Sequence, residues 1–207
     1  MILNNLTTMY IVRHGESEGN ARDVISGHTN HKLTLTGEEQ AKALGKKFKE
    51  IKFDKVFSSD LIRARRTAEL ITLEKNLAIE TTEVIRERNY GDLEEKPIAE
   101  LHKLLDVWSK LSYQERIKQR PAKNGESEEE MIVRFIAFLR EIAVAYAGKT
   151  ILIAAHGSLM RTFLVHLGYT TIQELKKINN TGWYKLESDG VDFQVKDMEG
   201  VVIEHES

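Results

Sequence analysis

Met9-Tyr10-Ile11-Val12-Arg13-His14-Gly15-Glu16-Ser17-Glu18-Gly19-Asn20 is the stretch that decides the fold, because an uncharged apolar run gives way abruptly to a polar segment containing glycine. A second stretch has the same grammar: Thr150-Ile151-Leu152-Ile153-Ala154-Ala155, then His156-Gly157-Ser158. Runs that are apolar on both faces predict strands covered on both sides, as in a parallel sheet. Ligands of open α/β sheets bind beyond the carboxyl ends of the strands. Both His-Gly pairs therefore fall on the rim where a site forms. Glycine after each histidine predicts a sharp backbone turn and room for a close ligand, and amides at the following helix starts favour an anion. One histidine at a strand end is more often a satisfied rim residue. Two in equivalent positions, one of them beside Arg13, point to function.

Working outward, Lys55-Val56-Phe57-Ser58 is a third strand candidate and Ala78 to Val84 a weaker fourth. Trp183 to Leu186 and Val191 to Val195, around Ser188-Asp189-Gly190, predict an antiparallel hairpin near the sheet edge. Helices are marked by their starts. Thr36-Gly37-Glu38-Glu39 reads as a capping box, followed at helical spacing by Ala41, Leu44, Phe48 and Ile51. Ser127-Glu128-Glu129-Glu130 opens another, with Met131, Phe135, Phe138, Ile142 and Tyr146 on one face, and Thr171 with Glu174 suggests a third. Asp60 and Ser158 are the expected caps of helices over 61–73 and 159–167. Pro97 and Pro121 bracket the region least like the βα pattern, so residues 90–126 read as a helical insertion over one edge of the sheet. The expected fold is an α/β three-layer sandwich, with a mostly parallel central sheet and helices on both faces. Residues 1–207 read as a single domain carrying that small insertion.

The 207 residues are 41% hydrophobic and 30% charged, with a formal net charge of −2 and a pI near 6.4. That balance gives no bulk attraction to nucleic acid or to an anionic membrane. The absence of cysteine removes disulfides, zinc-thiolate sites and a thiol nucleophile, and suits a reducing compartment. Met1 to Thr8 has no signal-like pattern, and no window reaches the roughly 18 apolar residues of a membrane span. The expectation is a cytoplasmic protein, monomer or homodimer, with neither nucleic acid nor membrane as its partner.

Two further segments carry candidate chemistry. Ser58-Ser59-Asp60-Leu61-Ile62-Arg63-Ala64-Arg65-Arg66-Thr67-Ala68 again joins a strand to a helix, so Arg63 near the helix start reaches the same rim. Arg65 and Arg66 cannot both point with it, so at least one is an ordinary surface charge. In Arg86-Glu87-Arg88-Asn89-Tyr90-Gly91, a glutamate flanked by arginines is, taken alone, more often a surface ion-pair member than a catalytic acid. No His/Asp set has metal-ligand spacing, so neither metal nor other cofactor is expected.

Together these residues resemble the histidine phosphatase superfamily, which includes the phosphoglycerate mutases. The likeness rests on Arg13-His14-Gly15-Glu16-Ser17 with Asn20, Ser59-Asp60-Leu61 with Arg63 and Thr67-Ala68, Glu87 to Gly91, Gly125-Glu126-Ser127 with Arg134, and His156-Gly157. It implies His14 as nucleophile, with Arg13, Arg63, His156 and Asn20 around the transferring phosphoryl group and Glu87 as proton donor. Ser17, Ser26, Gly27, Arg88, Tyr90 and Gly157 are the further phosphate- or substrate-binding candidates, although a serine at a helix start otherwise simply caps it. The chemistry is coherent. A neutral imidazole can attack phosphorus and leave again, and two guanidiniums present forked donors to the equatorial oxygens.

Mutases of this kind usually continue the Tyr-Gly turn with a glycine and a lysine, where this chain has Glu95 and Ile98. Gly27-His28-Thr29-Asn30 also looks more like the phosphatase branch, although Glu95 departs from a glycine that many phosphatases carry too. The expected activity is hydrolysis of small phosphomonoesters through a phosphohistidine, with a small phosphorylated metabolite as the partner. The alternatives are mutase-type phosphoryl transfer, a non-catalytic phosphate-binding module, and a metallohydrolase using both His-Gly pairs. Trp108, Tyr113, Arg116, Lys118, Arg120 and Lys123 in the insertion suggest either a lid for an acidic substrate or an amphipathic surface helix.

Overall fold

The computed structural model describes residues 6–204, so the part of the signal-segment reading that concerns residues 1–5 lies outside the described residues. Six strands form one sheet: β1 (Thr7–Arg13), β2 (Lys55–Ser59), β3 (Ile79–Thr82), β4 (Thr150–Ala155), β5 (Leu175–Ser188) and β6 (Phe193–Ile203). Their order is β3-β2-β4-β1-β5-β6, with the first four parallel and the last two antiparallel. The mostly parallel α/β sheet is therefore as expected. The terminal hairpin is also as expected but longer, and register shifts interrupt its pairing.

Alternation along the central strands builds two cores. Met9, Ile11, Ile151 and Ile153 pack against α6 (Glu128–Ala145) and α7 (Gly157–His166). Val12, Val56, Leu152 and Ala154 face the other side, against α2 (Leu35–Lys47) and α3 (Ile62–Ile71). Trp183 joins this second core, as sheet packing. Strands buried on both faces need apolar residues at every position, which is why their sequences show no polar alternation.

The helix starts follow the expected caps at α6 but depart from them at α2, α3 and α7. Ser127 closes a capping box on α6 with Glu130. At α2 the cap is Thr34 rather than Thr36; its hydroxyl accepts from the Gly37 amide. Neither α3 nor α7 has a side-chain cap. Asp60 is instead held by the Arg86 guanidinium, and Ser158 sits inside α7 with its hydroxyl 2.8 Å from the Tyr90 hydroxyl. Thr171 and Glu174 exchange reciprocal cap bonds, but these close a turn ahead of β5 and start no helix.

The insertion holds α4 (Ile98–Trp108) and α5 (Tyr113–Arg116). It does not lie over a sheet edge. Ile25 donates to Lys96 O and Ile98 to Asp23 O, and Ile25, Tyr90 and Leu101 bury one another. These contacts draw the insertion over the carboxyl end of the sheet, against the loop that follows β1. Its basic residues do not form a charged lid. Arg116 is buried with Arg88 against the Glu128 carboxylate, Arg120 pairs with Glu130, and Lys118 and Lys123 are exposed.

Candidate active site

Neighbouring strands β1 and β4 send their chains to opposite faces, β1 towards α2 and β4 into α7. The gap between their carboxyl ends is the crevice that open α/β sheets use for ligands. Arg13 pairs with Ala155 across the ladder, and the His14 amide donates to Ala155 O at 3.1 Å. The two histidines therefore leave the sheet side by side, with ring centroids 5.3 Å apart.

His14 is buried, and its Nδ1 lies 2.7 Å from Gly15 O. A carbonyl can only accept, so Nδ1 carries the proton and Nε2 keeps its lone pair. Arg63 Nε–H donates to that nitrogen at 3.2 Å. Burial first, then the Arg63 and Arg13 charges, hold the His14 pKa well below the ordinary value of 6.5, against a weaker upward pull from the Gly15 carbonyl. His156 lies fully buried beneath the site, and neither of its ring nitrogens has a hydrogen-bond partner. Burial, Arg63 and His14 likewise push its pKa well down.

Two neutral buried imidazoles link stability to pH. Below about pH 6.5 the unfolded chain takes protons onto these rings while the folded chain does not, so the unfolded state gains ground as pH falls. Each ring can lower stability by up to about 1.4 kcal/mol per pH unit until its folded pKa is reached. The urea midpoint is expected to fall between pH 7 and 5, and to fall less steeply in His156→Gln. Equal slopes in the two proteins would show that His156 protonates as readily folded as unfolded.

Arg63 is buried on α3, and its outer nitrogens are held by backbone: Nη2 by Gly27 O at 2.7 Å and Nη1 by Thr29 O at 2.8 Å. Burial lowers its pKa to about 10, which leaves it charged at neutral pH. The loop that supplies these carbonyls is itself latched. The Glu94 carboxylate accepts from the amides of His28, Thr29 and Tyr90 and from the Thr29 hydroxyl. Thr67, one turn after Arg63, accepts from the Gly15 amide and donates to Arg63 O, which ties the nucleophile's loop to the arginine's helix. Arg65 and Arg66 are the surface residues of this cluster, paired with Glu69 and Glu38.

Glu87 is buried rather than a surface ion-pair member. Its carboxylate accepts from the amides of Arg88 (2.9 Å), Ser158 (3.0 Å) and Leu159 (3.1 Å), at the N-terminus of α7. The flanking arginines go elsewhere: Arg86 to Asp60, Arg88 to the carbonyls of Gln119 and Glu126. Glu87 O accepts from Arg134 Nη2 and lies 2.9 Å from His28 Nε2, and Arg134 is locked in turn by Glu126. This segment is rigidly built.

Arg13, His14, Asn20, Arg63, Glu87 and Gly157 share one cavity of about 280 Å³, with Ser26, Gly27 and Tyr90 also on its wall. Arg13 donates to Ile178 O, and its Nε is buried without a partner. Asn20 Oδ1 accepts from Ser17 and Asn180. Three site expectations change. Ser17 and Arg88 do not line the cavity: Ser17 caps α1 (Glu18–Ala21), and Arg88 ties down the insertion. The glycines after the histidines do not adopt positive φ. A side chain at Gly15 would collide with the Gly37 carbonyl, and one at Gly157 would come within 3.1 Å of Arg13 Nε, so close packing explains both.

Residues that sequence reasoning missed are Glu94, His28, Asn180 (whose amide donates to His14 O) and the outer cavity residues His102, Arg161, Lys176 and Lys177. Among the described residues, no group of three or more His, Cys, Asp or Glu is arranged to hold a metal ion, and no helix is long and apolar enough to cross a membrane.

Residues 9–200 match the family model of the histidine phosphatase superfamily (branch 1). A Bacillus subtilis protein described as the uncharacterized phosphatase PhoE is 32% identical, over 84% of this chain and 85% of its own. A broad-specificity phosphatase of Saccharomyces cerevisiae is 33% identical, over 84% and 76%. The crystal structure of a phosphoglycerate mutase from Bacillus anthracis superposes with a TM-score of 0.83 at 26% identity, covering 95% of this chain and 94% of that one.

Proposed function

The chain belongs to the histidine phosphatase superfamily, branch 1, and on that premise we propose that it hydrolyses small phosphomonoesters through a phosphohistidine on His14. The observation that carries this reading is a buried imidazole held neutral, its Nδ1–H fixed by Gly15 O and its Nε2 beside Arg63, in a cavity shared with Arg13 and Glu87.

Phosphate enters between His14, Arg13 and Gly157, and the guanidinium donors of Arg13 and Arg63 turn to the phosphoryl oxygens. That exchange frees the Nε2 lone pair. The buried Nε of Arg13 has no competing bond to give up, and neutral His156, whose ring nitrogens have no partner, can offer its one N–H. Nε2 attacks phosphorus, an N–P bond forms, and the P–O bond to the alcohol breaks. Glu87, whose carboxyl lies on the wall of the same cavity, is the group that hands a proton to the departing oxygen. The Gly15 carbonyl steadies the positive charge left on the ring. Water then loses a proton to Glu87 and attacks phosphorus, releasing phosphate and neutral His14. The protein's contribution is position and charge, as phosphoryl transfer requires.

Phosphate release from 4-nitrophenyl phosphate in the presence of chelator, together with acid-labile label on His14, tests the reading. Absence of both would sink it. Glu87→Gln adds a sharper measurement. Loss of kcat should be about 10²- to 10⁴-fold on glycerol 3-phosphate, whose alkoxide needs a proton, and several-fold at most on 4-nitrophenyl phosphate. Equal losses on both esters would count against Glu87 as the acid. Mutase-type transfer, the second reading, is favoured by the likeness to the B. anthracis mutase. It would appear as bisphosphoglycerate-stimulated interconversion of phosphoglycerates outpacing phosphate release.

A further inference from the structure

Ser26, His31 and Glu95 form a hydrogen-bonded line that ends on the cavity wall. Ser26 is half-buried and lines the cavity. Its Oγ lies 3.0 Å from Nδ1 of His31, which is buried. Glu95 Oε1 lies 2.6 Å from the other ring nitrogen. A carboxylate can only accept, so Nε2 carries the ring proton, and the Nδ1 lone pair takes the Ser26 O–H. Arg22 Nη2 also approaches Nε2, at 2.9 Å, but it stands 3.0 Å from Glu95 Oε2 and gives its proton there. Hydrolysis through His14 uses neither His31 nor Glu95.

The backbone is shaped around this line. Glu95 holds φ at +66°, where glycine is favoured. Strain of that kind persists where neighbouring contacts hold it, and it gathers at functional sites. The Glu95 amide donates to Ile25 O at 2.8 Å, which sets the carboxylate beside the Ser26 segment. At Gly19 a side chain would collide with Ser26 Oγ and His31 Nδ1, so the hydrogen bond between them needs glycine there. Ser26 itself is fixed. Its carbonyl accepts from the Thr29 amide at 2.7 Å, and Glu94 latches the amides of His28 and Thr29.

We propose that Ser26 is a second nucleophile of this cavity, with His31 as its base and Glu95 orienting that base, and that it takes acyl groups from small uncharged carboxylic esters. A hydroxyl within reach of an imidazole that a third group orients is the signature of an activated nucleophile, whatever the fold. Ser26 Oγ attacks the ester carbonyl, a C–O bond forms, and the hydroxyl proton passes to His31 Nδ1. Glu95 stabilises the imidazolium. The oxyanion develops in a cavity lined by Arg13 and Arg63, whose positive charge favours it. Collapse breaks the bond to the alcohol, which leaves with the His31 proton. Water, losing a proton to His31, then attacks the acyl-serine and releases the carboxylic acid and Ser26. Ile25, Ile98 and Leu101 on the cavity wall suit a short apolar acyl chain.

The test uses His14→Ala protein, so that no imidazole at position 14 can take the acyl group. Hydrolysis of 4-nitrophenyl acetate is read as released nitrophenolate. Adding Ser26→Ala or His31→Gln should lower kcat/KM by about 10²-fold or more. Glu95→Gly removes the carboxylate and relieves the positive φ, so the thermal transition should survive while the rate falls about tenfold or more. Phenylmethanesulfonyl fluoride, which a serine nucleophile attacks at sulfur with loss of fluoride, should label Ser26, as mapped by peptide mass spectrometry. That label needs no further substitution and decides the matter if a variant fails to fold. Label absent from Ser26, or Ser26→Ala hydrolysing the ester at the parent rate, would overturn the proposal. A folded Glu95→Gly protein at the parent rate would remove the carboxylate from the line and overturn it as stated. Phosphate release by the native protein is a separate readout, so either reading can fail with the other intact.

Discussion

His14→Ala is expected to lower kcat by about 10⁵-fold or more and to abolish the phosphoenzyme. The size follows from what is removed. Nε2 is the one group in the cavity with a lone pair fixed by its tautomer and held unprotonated by burial and two guanidiniums. Without it no N–P bond forms, and water must attack the ester directly. Arg13, Arg63 and His156 remain, so phosphate binding should survive, and KM should change far less than kcat. Rapid quenching with labelled substrate, then acid treatment, reads the intermediate; steady-state kinetics read the rate. Turnover within tenfold of the native value would mean that water attacks the substrate without a covalent step. The pH profile is a companion check. Because His14 stays neutral well below pH 6.5, kcat/KM should show no loss assignable to its protonation near that pH.

The parts of this site that could be read in the sequence are those where a local pattern and a tertiary demand coincide. Arg13-His14 and His156 follow uncharged strands, and such strands must be central and parallel, so their ends must meet. Arg63 and Thr67, four residues apart, share a helix face, and the structure uses both. Caps were legible only where a box closed at both ends, as at Ser127. Asp60 looked like a cap but is drawn off by an arginine from beyond β3.

Glu87 could not be judged from its neighbours, because its partners are amides of α7, about seventy residues on. Glu95 is the informative mismatch. It holds φ at +66°, a conformation that favours glycine, and its carboxylate is caught by Arg22 and His31. The glycine expected there reflects backbone geometry, so its absence says little about substrate. The basic residues of the outer cavity had no sequence signal at all. Arg161 sits in a helix and Lys176-Lys177 in a strand, and only folding brings them to one cavity. Asn180 was hidden in the same way, inside a long strand whose register slips between Ile178 and Trp183.

Arg63→Lys is the second large effect, with an expected loss of about 10³-fold in kcat. The substitution keeps the charge, so what it tests is the fork. Arg63 meets three acceptors in three directions: His14 Nε2, Gly27 O and Thr29 O. One ammonium on a flexible stem cannot hold that spread. At least one of the two carbonyls loses its donor, which costs about 1–3 kcal/mol if the group stays buried, and the 27–29 loop loosens above the nucleophile. Thermal unfolding should therefore report a lower Tm alongside the lost rate. Arg65→Lys and Arg66→Lys are the controls. Arg65 makes an exposed pair with Glu69 and Arg66 a half-buried one with Glu38, both away from the cavity, so their stability should change by no more than about 0.5 kcal/mol and their rates should stay near native. If Arg63→Lys matched those controls in rate, a positive charge anywhere near His14 would suffice, and the directed geometry of the guanidinium would play no part in catalysis.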